Sequence, residues 1–350
     1  MKAISLFSGM GGDSLGMVSA GFELVAYSEK ESKFRETHDL NFVGCTSLGA
    51  TVNGDITKIP DNEFLRYTGE VDMIFSGFPC QGFSQAGKKN ANDVRNTLFS
   101  QFLRATRLVM PKYIIGENVK GLLTRKMNDG QLYIDVIVSE FEKLGYKVKY
   151  QICKTDKYGI PQKRERLLII GSRTGSDPVF PNEVPGTPNL LNIIKFNMTG
   201  SIKIEPADFD MSTIPPECIL TDMENEGEEN NPHPYLRLKA KTRNEAYGDK
   251  IHYNLLSFAK RDSPIHCEII DIRLPSKTII CTYEHQPRLF VPLRNKHGYF
   301  LRCLLPDELK QIQGFPADYK IAGNLKQQIV QIGNSVPPGL IKLIAESLVK

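Results

Sequence analysis

The sequence predicts an α/β protein built on a doubly wound, mostly parallel sheet, with a smaller irregular domain behind it. Three observations carry this expectation. Short apolar runs alternate with helix-like stretches through the first half, the alternation stops after Arg173, and prolines and an acidic tract crowd the stretch that follows.

Taken in order, "AISLF" reads as a strand, "DSLGMVSAG" as a helix and "FELVAYSE" as a second strand, followed by a polar helical segment from Lys30 to about Leu40. The pattern continues through the strand "VDMIFSG", the amphipathic "NTLFSQFLRATRLVM", the strand "KYIIGENV" and the helical "LYIDVIVSEFEKLG", and closes with the strands "YKVKYQIC" and "RLLIIGSR". Strands that are apolar throughout, rather than alternating, belong in a sheet covered on both faces. The last helix, "PGLIKLIAESLVK", gathers Leu340, Leu343, Ile344 and Leu348 on one face and is expected to pack back on the first domain.

Composition narrows the class. The 350 residues exceed a comfortable single core and imply two domains of unequal size. With 41% hydrophobic and 24% charged residues and no apolar run near 18, the chain reads as soluble, neither disordered nor membrane-spanning. The 7 cysteines form no CxxC pair and follow no secretory leader, which predicts reduced thiols in the cytoplasm and no metal site. A net charge of +4 is too mild to demand a polyanionic partner, so the distribution of charge decides.

That distribution is uneven. "MENEGEENNPHP" (Met223 to Pro234) is acidic and nearly free of apolar residues, and "LRLKAKTR" follows it with Arg237, Lys239, Lys241 and Arg243 on alternate positions. On an extended strand those four cations share one face, which suits a phosphate backbone; the same pattern also suits an edge strand kept soluble by charge.

The chemistry-bearing residues cluster at strand ends. In "LFSGMGGDSLG", Gly9, Gly11 and Gly12 allow a ligand close to the backbone at the start of the first helix, and Glu29 at the end of the second strand is placed for ribose hydroxyls. In "NGDIT", Asp55 has an acceptor for an exocyclic amine while Ile56 covers a ring; each piece alone is also a turn or cap residue. Cys80, in "GFPCQGFS", follows the strand "VDMIFSG" at the sheet edge where open α/β folds hold ligands. A lone cysteine is more often a small buried hydrophobe, but the flanking Gly77, Pro79, Gln81, Gly82 and Ser84 do not read as core. Glu117 in "GENV" and Gln162, Arg164 and Arg166 in "QKRER" bring an acid and two guanidinium groups toward the same edge.

These stretches, in this order, resemble the DNA (cytosine-5) methyltransferases over nearly the whole chain. "FSGMGG" resembles the family's S-adenosylmethionine loop, "PCQ" its nucleophile motif, "ENV" its catalytic acid, "QKRER" its QxRxR, "RCLLPDELKQIQGFP" its late motif and "GNSVPP" its closing motif. The resemblance implies a Rossmann-like methyltransferase fold with a target-recognition domain, at boundaries 1–178, 179–325 and 326–350. It implies Cys80 as nucleophile on a flipped cytosine, Glu117 as acid, and Arg164 and Arg166 on phosphate and base. It implies a cofactor set of Phe7, Gly9, Gly11, Glu29, Asp55, Ile56, Pro79, Leu98, Asn334 and Val336, with Gln81, Ser84, Arg237, Lys239, Lys241 and Arg243 toward double-stranded DNA. A monomeric restriction-modification enzyme with a cognate endonuclease is the expected setting. Asp13 departs from the family's usual apolar residue and is read as a helix cap; Lys30 departs from a large stacking side chain. Three other readings stay open: a transfer-RNA methyltransferase of the same chemistry, an inactive DNA-binding relative, and a nicotinamide-dependent oxidoreductase.

Overall fold

A computed structural model describes the chain except residues 80–97, 128–129, 206–209, 226, 228–235, 243–253, 259–267 and 286, and gives backbone alone for 213, 236–242 and 254–258. It divides into two compact units, Met1–Gly186 with Gln313–Gly323 and Ser335–Lys350, and Thr187–Ile312 with Asn324–Asn334. The sequence-based boundaries cut the chain differently, since the late segment is shared between the units in alternating pieces.

The first unit carries a seven-stranded sheet. Its strands are β1 (Lys2–Leu6), β2 (Glu23–Ser28), β3 (Thr46–Ser47), β4 (Met73–Ser76), β5 (Tyr113–Asn118), β6 (Lys147–Lys154) and β8 (Glu165–Ser172); the short β7 (Gln162–Lys163) lies outside it. The order is β3-β2-β1-β4-β5-β8-β6. β1 to β5 pair in parallel, whereas β8 runs antiparallel to both β5 and β6. The mostly parallel sheet is thus as expected, with one reversed strand wedged in near its far edge.

Consecutive residues on each strand enter opposite cores. Ile4, Ile74, Ile114, Leu167 and Ile169 join Phe64, Phe102, Ile137 and Phe141 on one face. Those aromatics come from α3 (Asp61–Leu65), α4 (Leu98–Val109) and α5 (Tyr133–Glu142), which follow α1 (Gly12–Ser19) and α2 (Ser32–Asn41). Ala3, Met73, Phe75, Ile115, Leu168 and Ile170 join Met17 of α1 and Leu340, Ile341, Ile344 and Leu348 on the other. The strands read as apolar throughout because both faces are covered. The helix Pro338–Leu348 reaches α1 at a glycine: a Cβ on Gly16 would sit 2.7 Å from Ile341 Cβ, so a side chain there would push the helices apart.

The second unit holds a five-stranded sheet around the hairpin Leu289–Asn295 and Gly298–Cys303. Arg302, fully buried, makes a paired contact with Glu308 at 2.7 and 2.8 Å and also donates to the carbonyls of Lys195 and Cys303. A buried guanidinium needs extensive pairing, and here both terminal nitrogens are engaged, fastening strand, helix and loop together. "LRLKAKT" forms the strand Leu236–Thr242, antiparallel to Asn254–Phe258, so the extended reading of the basic stretch stands for Arg237, Lys239 and Lys241, while Arg243 lies outside the described residues.

Candidate active site

Strand order reverses between β1 and β4, and the crevice at their carboxyl ends is where open α/β sheets take ligands. The loop leaving β1 is bent to leave room there. Phe7, Gly9 and Gly11 have φ of 56°, 55° and 90°, and the first is a bulky residue in a region such residues avoid, a conformation that clusters at functional sites. Gly11 caps α1, and a Cβ on Gly12 would lie 2.1 Å from the Val336 carbonyl oxygen, so the closing motif packs directly on the start of that helix.

Glu29, just past β2, ties two loops together: its carboxylate accepts from Gly9 N at 2.9 Å and from Glu31 N at 2.8 Å. Burial pushes this carboxyl above its ordinary range, and the backbone donors only partly offset that. Asp55 accepts from Thr57 through Oδ1 and pairs with Lys30 Nζ through Oδ2 at 3.2 Å. Partial burial pushes it up, but the bonds from Thr57 and Lys30 outweigh this and hold it below the usual value. Ile56 is buried in the core, and Phe7 and Leu98 pack half-buried against the same cluster.

The chemistry side lies one strand over. Gly77 and Phe78 follow β4, and a Cβ on Gly77 would stand 3.8 Å from Phe7 O and 3.9 Å from Glu117 Oε2. Glu117, on β5, pairs with Arg166 of β8 through Oε1 and Nε at 2.7 Å. The reversed strand is what places that arginine beside the acid, since β8 is the neighbour of β5. Asn118, buried next to Glu117, donates to the Phe78 carbonyl at 3.1 Å and so fastens the end of β5 to the loop that leads into Pro79. Arg164 is buried, its backbone bonded both ways to Thr155, so the guanidinium that meets Glu117 is that of Arg166.

Cys80, Gln81 and Ser84 lie outside the described residues; Pro79, half-buried, is the last described residue before them. Asn334 ends the helix Leu325–Asn334, exposed and within the second unit, whereas Val336 belongs to the first. Asp13 does not cap from the N-cap position, which Gly11 holds. It is buried and accepts from the Ser5 hydroxyl, and burial pushes its carboxyl up to about 7.

Several participants were not singled out from the sequence. Asn118 is one. Gln313 is another: Gln162, named from "QKRER", donates to it, and it donates to Ser335 O, so that three separate motif stretches meet. The hydroxyls of Ser8, Ser28 and Ser76, at the ends of β1, β2 and β4, are buried without a protein partner among the described residues. The positive-φ glycines and the two carboxylates form a donor and acceptor set that fits a nucleoside bearing a polar tail.

Fold and site together define a Rossmann-like methyltransferase. The chain matches the C-5 cytosine-specific DNA methylases over residues 1–350, and it belongs to that family. It is 31% identical over 359 residues to the Type II methyltransferase M1.HphI of Haemophilus parahaemolyticus, covering 99% of this chain and 86% of that one. It is 31% identical over 350 residues to M.BsuFI of Bacillus subtilis, covering 99% and 71%. Among solved structures it superposes on a mutant of Spodoptera frugiperda DNMT2 with a TM-score of 0.66 at 19% identity, over 100% of this chain and 99% of that one. The Dnmt2 methyltransferase of S. pombe gives 0.65 at 17%, over 100% and 98%. Those structural likenesses bear on the fold alone.

Proposed function

We propose that this DNA (cytosine-5) methyltransferase works on a cytosine flipped out of a specific double-stranded sequence, through a covalent adduct on Cys80, with S-adenosylmethionine as methyl donor. The observation that carries this is the meeting, at one switch point, of a nucleoside-binding side (Gly9, Glu29, Asp55) and an acid-guanidinium side (Glu117 and Arg166 at 2.7 Å). Glu29 would hold the ribose, Asp55 the adenine amine, and Phe7, Ile56, Pro79, Leu98 and Val336 the apolar surroundings, with Asn334 closing the site. When bound, S-adenosylmethionine supplies an electrophilic sulfonium methyl.

The chain's own residues must then make carbon 5 of cytosine a nucleophile, which an aromatic ring stacked in a duplex is not. Cys80 as thiolate adds to carbon 6, forming a carbon–sulfur bond, while Glu117 gives a proton to ring nitrogen 3. Arg166, beside Glu117, takes the ring's carbonyl oxygen. After methylation a base removes the carbon 5 proton, the electron pair reforms the ring double bond as the sulfur leaves carbon 6 as thiolate, and the proton on nitrogen 3 returns to Glu117. Arg164, buried just before β8, would take a phosphate flanking the flipped nucleotide.

The first unit is the catalytic and cofactor-binding part and the second holds target recognition, with the strand Leu236–Thr242 presenting Arg237, Lys239 and Lys241 to DNA and Gln81 and Ser84 approaching from the nucleophile loop. The Type II names of its relatives support a restriction-modification setting with a cognate endonuclease; a monomer working in the cytoplasm completes the reading. No helix among the described residues is long and apolar enough to cross a membrane.

Bisulfite sequencing of DNA from cells expressing the protein tests the activity and returns the target. A duplex carrying 5-fluorocytosine at that target should then form a denaturation-resistant complex with the wild type, because fluorine cannot leave as a proton, and none with Cys80→Ser. Absence of the complex with the wild type, in the presence of S-adenosylmethionine, overturns the adduct chemistry.

A further inference from the structure

Glu29 and Asp55 come from separate loops, joined at the surface by the pair of Asp55 with the exposed side chain of Lys30. Between the loops lies Arg35, half-buried on α2. Its Nη1 donates to Glu29 O at 3.0 Å, to Lys30 O at 2.5 Å and to Asn53 O at 2.7 Å. Three carbonyls, two from the end of β2 and one from the turn that leads to Asp55, thus converge on one guanidinium nitrogen. The turn is shaped to come this close. Asn53 and Gly54 have φ of 55° and 66°, and a Cβ on Gly54 would lie 2.0 Å from Glu29 O and 3.4 Å from Arg35 Nη1. Backbone therefore packs on backbone, with carbonyl dipoles of both loops facing the same point. Like-signed dipole ends repel at this range, and a fixed cation placed among them turns the repulsion into a shared attraction.

We propose that Arg35 is a positioning residue that sets the separation of Glu29 and Asp55, and through it the affinity for the nucleoside half of the cofactor. This rests on the reading of those two carboxylates as ribose and adenine anchors. The role requires a cation at the point where the three carbonyls meet; a lysine ammonium has the donors, but its nitrogen lies one bond short of that point and is not held in direction. Arg35 would not touch the cofactor, so its removal should act on binding and leave the methyl-transfer step alone.

The test is calorimetry with S-adenosylhomocysteine and with 5′-methylthioadenosine, which lacks the amino-acid tail, on wild type, Arg35→Ala, Arg35→Lys, Asp55→Ala and the Arg35→Ala/Asp55→Ala double variant. Failure of the wild type to bind either compound sinks the nucleoside reading itself. If it binds, Arg35→Ala should weaken both ligands alike by roughly tenfold, the scale of coupling within one hydrogen-bonded network. Arg35→Lys should recover only part, and the Arg35→Ala loss should shrink severalfold once Asp55 is already alanine. In steady state Arg35→Ala should raise KM for S-adenosylmethionine with kcat at saturation unchanged. Unchanged affinity in Arg35→Ala overturns the proposal, as does a loss that persists in full in the Asp55→Ala background. Arg35→Lys folds with a cation in place, so wild-type affinity in that variant also refutes the need for the guanidinium's reach to that point.

Discussion

Asp13 offers a stability test that is independent of catalysis. It is 2% exposed in the first turn of α1, and burial raises its carboxyl from 3.8 to about 7, with the bonds from Ser5 and the first-turn amides only partly countering this. The folded chain therefore keeps a proton on Asp13 where the unfolded chain has released it. Because the folded value is the higher one, stability is lost as pH rises from about 4 to about 7 and is level above that. At about 1.4 kcal/mol per decade, the loss has a ceiling of about 4 kcal/mol. Asp13→Asn has nearly the same shape and cannot ionise. The difference in unfolding free energy, variant minus wild type, should rise across that window and flatten above it. His38 contributes with the opposite sign: burial holds it down at about 3, so its contribution is present above 6.5 and is lost as pH falls below it. Both proteins carry His38, so the difference removes it. The assay is urea unfolding by far-UV circular dichroism at intervals from pH 5 to 8.5, since the chain has no tryptophan to follow by fluorescence. A difference that does not vary with pH, or one that moves in favour of the wild type at high pH, refutes the buried-acid argument.

Two further outcomes are expected. Gly12→Ala puts a methyl 2.1 Å from a backbone carbonyl and 2.5 Å from Ser335 Oγ, and should destabilise the first unit by about 1–3 kcal/mol despite alanine's better helix propensity; an unchanged urea midpoint would show that the closing motif does not press on α1. Replacing Arg237, Lys239, Lys241 and Arg243 by Gln should weaken target and non-target DNA alike, and reduce the slope of log affinity against log salt by about 3–4 if all four meet phosphate. An unchanged slope would leave these cations as a solubility device.

Much of the first unit was legible because a sheet covered on both faces writes itself as continuous apolar runs, and Ile4, Ile74 and Ile114 on one face with Ala3, Met73 and Ile115 on the other supply them. Strand direction is not written that way. Periodicity is the same read forwards or backwards, so the reversal of β8, which brings Arg166 to Glu117, could not be seen in "RLLIIGSR". Glu29 was legible as an acid at a strand end and Asp55 as one after a turn, but their partners were not. Asn118 was passed over beside the more reactive Glu117, and the bonds of Gln162 with Gln313 join residues far apart in the chain. Asp13 was legible as an acid serving the first-turn amides of α1, but neither its place past the N-cap Gly11 nor its burial against the Ser5 hydroxyl was.

The way the first unit is closed has a consequence for its synthesis. By Gly186 the chain has made all seven strands and the helices for one face of the sheet, but the other face has only α1 to cover Phe75, Ile115, Leu168 and Ile170. Leu340, Ile341, Ile344 and Leu348 emerge from the ribosome only after the entire second unit. Until then an apolar wall stands open to water, and Gln162 waits for Gln313. A chain halted while the second unit is being made therefore carries a sheet with one apolar face uncovered.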